Sequence, residues 1–305
     1  MAGIWDNLNL AKYNKIPKKQ FSLGEGNTPL YNIQIDDQRV LVKDENKNPT
    51  GSFKDRCLAY QISHYYSMGC KKFVISSSGN AGISAASIIS LIPEVSLDIF
   101  ITPRISPKKL EKLIDLESKR IHINQDEKAK SSAMIFAKNK SIINLRASID
   151  DIALIGYKTI SYELENEAKD CGGIFIPTSS GTAALGIALG FEDLGINVPI
   201  YLCQTTKIYS IAKEFDKDFS PTKTSLADAI VDRVAHRKAE LIKILKKTDG
   251  DAFVVSDELL LLAHQKIRHT GKDFSFNSLL GLAGLLKAKK QNKKIKNQII
   301  LASGL

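Results

Sequence analysis

Nine residues, Asn48-Pro49-Thr50-Gly51-Ser52-Phe53-Lys54-Asp55-Arg56, put a lysine where its amine can act as a nucleophile. They follow a predicted strand, Arg39 to Lys43, and open a predicted helix running to about Met68. Asn48, Pro49 and Gly51 are turn formers, each with its own backbone reason. Ser52 is placed to cap the helix, with Asp55 three residues on as its reciprocal partner. Lys54 then falls in the first helical turn, where the positive end of the helix dipole disfavours a cation. A lysine that attacks a carbonyl to form a Schiff base must be neutral, so the position suits that chemistry. A capped surface helix with an incidental lysine is the plainer reading of the same nine residues.

Two further stretches pair a strand with a loop and a helix. Lys72 to Ser76 is a predicted strand, Ser77-Ser78-Gly79-Asn80-Ala81-Gly82 a turn, and Ile83 to Ile88 a helix. Backbone N–H groups at such a helix start can bind an anion. The spacing G-x-G-x-x-G is absent, so a dinucleotide loop is disfavoured, while a plain helix cap stays open. Further on, Gly172 to Pro177 is a strand, Thr178-Ser179-Ser180-Gly181-Thr182 a loop, and Ala183 to Phe191 a helix. This loop holds no Lys or Arg and lacks the P-loop pattern. A phosphate held there would rest on N–H groups, hydroxyls and the helix dipole, which suits a bound, unreactive phosphate. Finally, Ile299 to Ala302 is a strand followed by Ser303-Gly304.

Taken in order, these four stretches resemble the threonine synthases, within the β-family (fold type II) of enzymes that use pyridoxal 5′-phosphate. The resemblance covers about Gly24 to Gly304 and includes Gly24-Glu25-Gly26-Asn27-Thr28-Pro29-Leu30, similar to that family's EGNTPL loop. It implies that Lys54 holds the cofactor as a Schiff base and then serves as general base. It implies that Asn80 faces the cofactor's 3′ oxygen. Ser77, Ser78 and Ala81 would grip the substrate α-carboxylate, with Gly79 allowing close approach. Ser179, Ser180, Gly181, Thr182 and Ala183 match the family's phosphate cup, except that Ser179 stands where glycine is usual and its Cβ is expected to crowd the phosphate. Ser303 matches the hydroxyl that faces the pyridine nitrogen, a tuning expected to favour elimination and replacement over transamination. In the family the chain continues past this point and packs back, so an end at Leu305 is expected to hold Ser303 less firmly. Gly156-Tyr157-Lys158-Thr159 through Glu163 resembles the family's G-x-K-T-x-x-x-E helix, with Lys158 placed to meet a substrate phosphate or, more plainly, solvent. Ser225 to Ile230 resembles the start of a substrate-domain helix. Phe274 to Ser278 departs from the family's Glu-Pro-Ser/Ala pattern.

The elements that must position these residues alternate along the chain. Short apolar strands are predicted at Val40–Lys43, Phe73–Ser76, Leu97–Ile101, Ile121–Ile123, Ile142–Leu145, Ile174–Ile176, Ile200–Cys203, Ala252–Val255 and Gln298–Ala302. Amphipathic helices are predicted between them, at Pro107–Ser118, Lys128–Asn139, Tyr157–Lys169, Ala183–Leu194 and Asp257–Thr270. That order predicts an α/β chain with mostly parallel sheets covered on both faces. The resemblance implies two lobes with the cofactor in the cleft between them: residues 40–145 as the smaller, and 1–39 plus 146–305 as the larger.

The chain has 305 residues, 43% hydrophobic and 25% charged, an ordinary globular balance. The apolar run near Ile83 to Ile92 is too short to span a bilayer, and Met1 to Asp6 lacks signal-peptide character, so a cytoplasmic protein with no membrane contact is expected. Cys57, Cys70, Cys171 and Cys203 stand far apart and are expected as reduced thiols. The five histidines show no metal-ligand spacing, so no metal is expected. The net charge of +10 comes from dispersed lysines, with clusters at Lys243, Lys246 and Lys247 and from Lys287 to Lys296, read as solvated surface. No nucleic-acid motif accompanies them.

The resemblance therefore implies a lyase of amino-acid metabolism, commonly a homodimer, that converts O-phospho-L-homoserine and water to L-threonine and phosphate. β-Elimination or β-replacement on serine, threonine or an O-activated serine is the alternative. A non-catalytic relative that binds the cofactor is the second.

Overall fold

The computed structural model describes residues 3–77, 79–293 and 295–304. In chain order the first half holds α1 (Leu8–Tyr13), β1 (Leu30–Ile35), β2 (Gln38–Asp44), α2 (Lys54–Ser67), β3 (Lys72–Ser76), α3 (Asn80–Ser90), β4 (Ser96–Ile101), α4 (Pro107–Ile114), β5 (Ile121–Gln125), α5 (Ala129–Lys140) and β6 (Ile143–Asn144). The second half holds α6 (Ile152–Glu163), α7 (Glu165–Ala168), β7 (Gly173–Pro177), α8 (Thr182–Asp193), β8 (Ile200–Thr205), α9 (Lys238–Lys247), β9 (Asp251–Val255), α10 (Asp257–Arg268), α11 (Phe276–Lys290) and β10 (Gln298–Ala302).

The chain divides into two compact units. One comprises Met1–Asn27 with Asn48–Thr159, the other Thr28–Lys47 with Ile160–Leu305. In the first, four parallel strands stand in the order β5-β4-β3-β6. Central β3 hands the chain directly into the Ser77 loop and α3. In the second, six strands stand in the order β1-β2-β10-β7-β8-β9, and only the β1–β2 hairpin is antiparallel. All residues of β7, β8 and β10 are buried, as their near-continuous apolar sequences require of strands covered on both faces. Phe175 stacks on Tyr201 with ring centroids 4.6 Å apart in the core of this sheet. Each such buried side chain contributes about 1.5–3 kcal/mol of apolar burial.

The boundaries differ from the expected 40–145 and 1–39 plus 146–305. β2 pairs with β10 (Leu301 opposite Lys43), so residues 40–47 go with the six-stranded sheet. The N-terminal residues to Asn27 and the first turns of α6 go with the four-stranded one. α1, β1, α9 and α11 are additional to the predicted elements, and α6 starts five residues earlier than predicted. Among the described residues no helix is long and apolar enough to cross a membrane.

Candidate active site

Within the first unit, the loop before α2 is tied at several points. Gly51 N donates to Asn48 O at 2.8 Å, closing a turn with Gly51 at φ 85°. Asn48 Oδ1 accepts from Gly26 N at 2.9 Å, which joins this turn to the Glu25 loop. Asp55 turns back to Thr50, accepting from its backbone N at 2.8 Å and its hydroxyl at 2.5 Å. Ser52 Oγ lies 3.4 Å from Lys54 N, and α2 starts at Lys54. Both donors of Thr50 thus lie beside the Asp55 carboxylate at the start of α2.

Lys54 is half-buried. Its Nζ donates to Tyr157 Oη at 3.2 Å and lies 4.8 Å from the centre of the Phe53 ring. Cys57 Sγ lies 3.2 Å from the same phenol oxygen, and burial pushes its thiol up to about 11. Tyr157 is fully buried. It was visible in the G-x-K-T resemblance only as the unassigned second residue. Its neighbour Lys158 is half-buried on α6.

The rest of that motif holds α6 against α2. A Cβ on Gly156 would lie 2.3 Å from Arg56 O and 2.6 Å from Cys57 Cα, both backbone atoms. Arg56, with no exposed surface, donates to Thr159 Oγ1 at 3.0 Å. Gly156→Ala is therefore expected to force the two helices apart, at a cost of about 1–3 kcal/mol or more, and to draw Tyr157 away from Lys54. A thermal melt checks this, and an unchanged melting temperature would mean that the helices have room here.

Glu25 has no exposed surface. Its Oε2 accepts from Ser22 Oγ at 2.9 Å and Leu23 N at 2.8 Å, while Oε1 is buried without a partner. Burial, more than any neighbouring charge, pushes its carboxyl from 4.5 up to about 7. The folded chain thus keeps a proton that the unfolded chain loses above pH 4.5. Stability is full below that pH, falls as pH rises to 7, and is lower by about 3 kcal/mol beyond it. Glu25→Gln cannot titrate, so relative to wild type it should gain that amount between pH 4.5 and 8. Urea unfolding followed by fluorescence of Trp5, the chain's single tryptophan, reads this. A pH-independent difference would show that Glu25 is not held neutral.

The asparagine loop lies in the same unit. Ser77 Oγ is 3.3 Å from Gly79 N, and Asn80 and Ala81, both half-buried, open α3. Gly79 precedes α3 without a side-chain cap, so the helix end is open to a ligand. Ser78 lies outside the described residues. A residue not singled out from sequence also comes here: Lys109, on α4, has its Nζ 3.8 Å from where a Cβ of Gly79 would stand. It has no ion-pair partner among the described residues.

In the second unit, the cup and Ser303 follow neighbouring strands. Residues 179–183 leave the carboxyl end of β7, and Ser303 leaves that of β10, which pairs with β7. Ligands of parallel sheets bind at such carboxyl ends. Gly181 has φ 89°, a left-handed conformation that glycine adopts freely, and turns the chain into α8. Leu185 N donates to Gly181 O at 2.9 Å, so the N–H groups ahead of it lie at the open end of the helix. Ser180 Oγ lies 3.1 Å from Thr182 Oγ1, and Thr182 and Ala183 are buried in the first turn.

Ser303 is 7% exposed. The residue that follows it is held at both of its backbone polar groups. Gly304 N donates to Ser278 Oγ at 3.1 Å, and Gly304 O accepts from Ser275 Oγ at 2.6 Å and from Ser278 Oγ at 2.9 Å. Ser275 also caps α11, accepting from Ser278 N at 3.2 Å. The stretch that departs from the Glu-Pro-Ser/Ala pattern is thus what clamps the residue after Ser303. Glu163 of the G-x-K-T-x-x-x-E stretch pairs with Lys43 at 2.6 Å, both nearly buried, and Lys43 Nζ also donates to Thr28 O at 2.7 Å.

Known proteins resemble this chain over most of its length. A family model described as pyridoxal-phosphate dependent enzyme matches residues 21–304. A threonine synthase of Methanocaldococcus jannaschii is 24% identical, over 93% of this chain and 76% of its own length. An L-serine dehydratase/L-threonine deaminase of Bos taurus is 26% identical, over 74% of this chain and 71% of its own. Among solved structures, maize serine racemase superposes with a TM-score of 0.76 at 19% identity, covering 91% of this chain and 87% of its own, a likeness of fold.

Proposed function

Because this chain belongs to the pyridoxal-phosphate dependent enzyme family, we propose that it is a threonine synthase-type lyase that takes O-phospho-L-homoserine and water to L-threonine and phosphate. The residues suit the cofactor. The α8 end offers N–H groups and hydroxyls and no cation, a fit for a phosphate. Lys54 offers an amine for the cofactor aldehyde, and Ser303 a buried hydroxyl for its ring nitrogen. When bound, the cofactor supplies an electron sink for a carbanion at the substrate Cα.

The observation that carries the reading is the Lys54 amine, half-buried and hydrogen-bonded to Tyr157 Oη. As base, Lys54 takes the substrate α-proton at Nζ. Protonated, it donates to Tyr157 Oη; neutral, it accepts the phenol proton. The bond persists through both states and keeps Nζ in place. The open α3 end and Ser77 take the α-carboxylate, and Asn80 bonds the cofactor oxygen. Lys109 favours a substrate with a second anionic group, because its ammonium and the positive end of the α3 dipole both attract an anion.

Absorbance scans of the purified protein test the reading. O-Phospho-L-homoserine should shift the visible band and release phosphate. A shift with serine or threonine and release of a keto acid would make the chain a dehydratase instead. A protein that takes up pyridoxal phosphate yet shifts with no amino acid is a carrier.

A further inference from the structure

Ser179 differs from its surroundings in how fully its hydroxyl is used. Its Oγ accepts from Val231 N at 3.1 Å and Asp232 N at 3.0 Å, and donates to Asp232 Oδ2 at 3.1 Å. One donor and two lone pairs are the whole capacity of a hydroxyl. Nothing of the hydroxyl remains for a phosphate, so Ser179 can meet one only through its backbone N–H, and its side chain has another role. Gln204, fully buried, approaches Ser179 O at 3.4 Å and holds Ile211 N and Ala212 N at 2.8 and 2.9 Å. The far end of the bonded segment has its own anchor. Asn277 donates to Asp228 Oδ1 at 2.9 Å and accepts from Ala229 N at 2.9 Å.

The segment 228–232 lies in neither helix nor strand. Besides two turn bonds, Asp228 N to Leu226 O at 3.0 Å and Ile230 N to Ala227 O at 3.3 Å, its backbone is held by side chains, and Val231 is half exposed. The bond to Asp232 Oδ2 also matters electrostatically. A carboxylate beside an anion cup weakens anion binding, and a hydroxyl proton aimed at it offsets part of its charge.

We infer that Ser179 is a positioning residue. It fixes segment 228–232 against the cup loop and, through that segment and the Asp232 carboxylate, sets cofactor affinity. This rests on the cup being the phosphate site. On that basis the extra Cβ at position 179 is not a defect in the cup but the anchor of one of its walls, and Ser179→Gly should weaken cofactor binding, not tighten it.

The test uses the full chain, freed of cofactor and then titrated with pyridoxal phosphate, in wild type and in Ser179→Ala, Ser179→Gly and Ser179→Thr. Amide hydrogen exchange of the cofactor-free protein is measured on the same samples. The expected result is about tenfold weaker cofactor binding in the Ala and Gly variants. Exchange at Val231 and Asp232 should be about tenfold faster there, with β7 and α8 unchanged, and Ser179→Thr should restore both. Tighter binding in Ser179→Gly, unchanged exchange at Val231 and Asp232, or exchange raised throughout the unit would each overturn the inference. A wild-type protein that takes up no pyridoxal phosphate overturns the function proposed above and the affinity claim with it. The exchange comparison then decides the anchoring claim alone.

Discussion

Lys54→Ala should abolish the visible absorption of the cofactor-loaded protein and lower kcat/KM by on the order of 10^4-fold. Two roles are removed at once: the amine that holds the cofactor and the base that moves the α-proton. The substitution should leave the fold in place. The Lys54 side chain is half-buried and hydrogen-bonds to Tyr157, while the loop around it is held by Asn48, Thr50 and Asp55. Lys54→Arg should not rescue activity, because a guanidinium stays protonated and cannot take a proton. Far-ultraviolet circular dichroism separates loss of chemistry from loss of fold. If the visible band survives in a folded Lys54→Ala protein, another lysine holds the cofactor and the assignment fails. Tyr157→Phe offers a graded companion: the band should remain while the rate drops, since Nζ loses its hydrogen-bond partner and not its identity.

What could be read from the sequence was local. The Lys54 loop, the asparagine loop and the cup are each a string of turn and hydroxyl residues between a strand and a helix, and such strings announce themselves within ten residues. The contacts that hold them in place are not local. Tyr157 meets Lys54, and Thr159 meets Arg56, each across 103 residues. No spacing rule reports a partner at that distance. Ser179 could be flagged as an unusual residue, but its partners stand 52 and 53 residues on, in a segment without regular structure. α11 escaped for a different reason. Leu279 to Leu286 is apolar all round, because the helix packs on β7, β8, β9, β10 and α10, and so it has no amphipathic period to detect.

Lys287 shows how composition misleads, and it carries the largest stability prediction. In sequence it heads a cluster of lysines that reads as solvated surface. In the structure it is 6% exposed. Its Nζ bonds Asp216 Oδ2 at 2.6 Å, Asp218 O at 2.6 Å and Val254 O at 2.8 Å, which uses all three of its protons. Asp216, also buried, accepts in addition from Val254 N at 2.8 Å and Asp218 N at 3.0 Å. Lys287→Met fits the helix but strands a carboxylate in the core, so it should cost about 3–5 kcal/mol. Lys287→Met with Asp216→Asn removes the stranded charge, and its amide oxygen keeps one of the two backbone donors, which bond separate oxygens of Asp216. That double variant should recover a large part of the loss, because the penalty is that of an unpaired charge more than of a missing attraction. Trp5 lies in the other unit, so its fluorescence is a poor reporter here. Native-state hydrogen exchange at the amides of β8 and β9 reports the opening of this sheet directly. If Lys287→Met leaves those amides as well protected as in wild type, the pair contributes nothing net, and Asp216 is satisfied by its backbone donors alone.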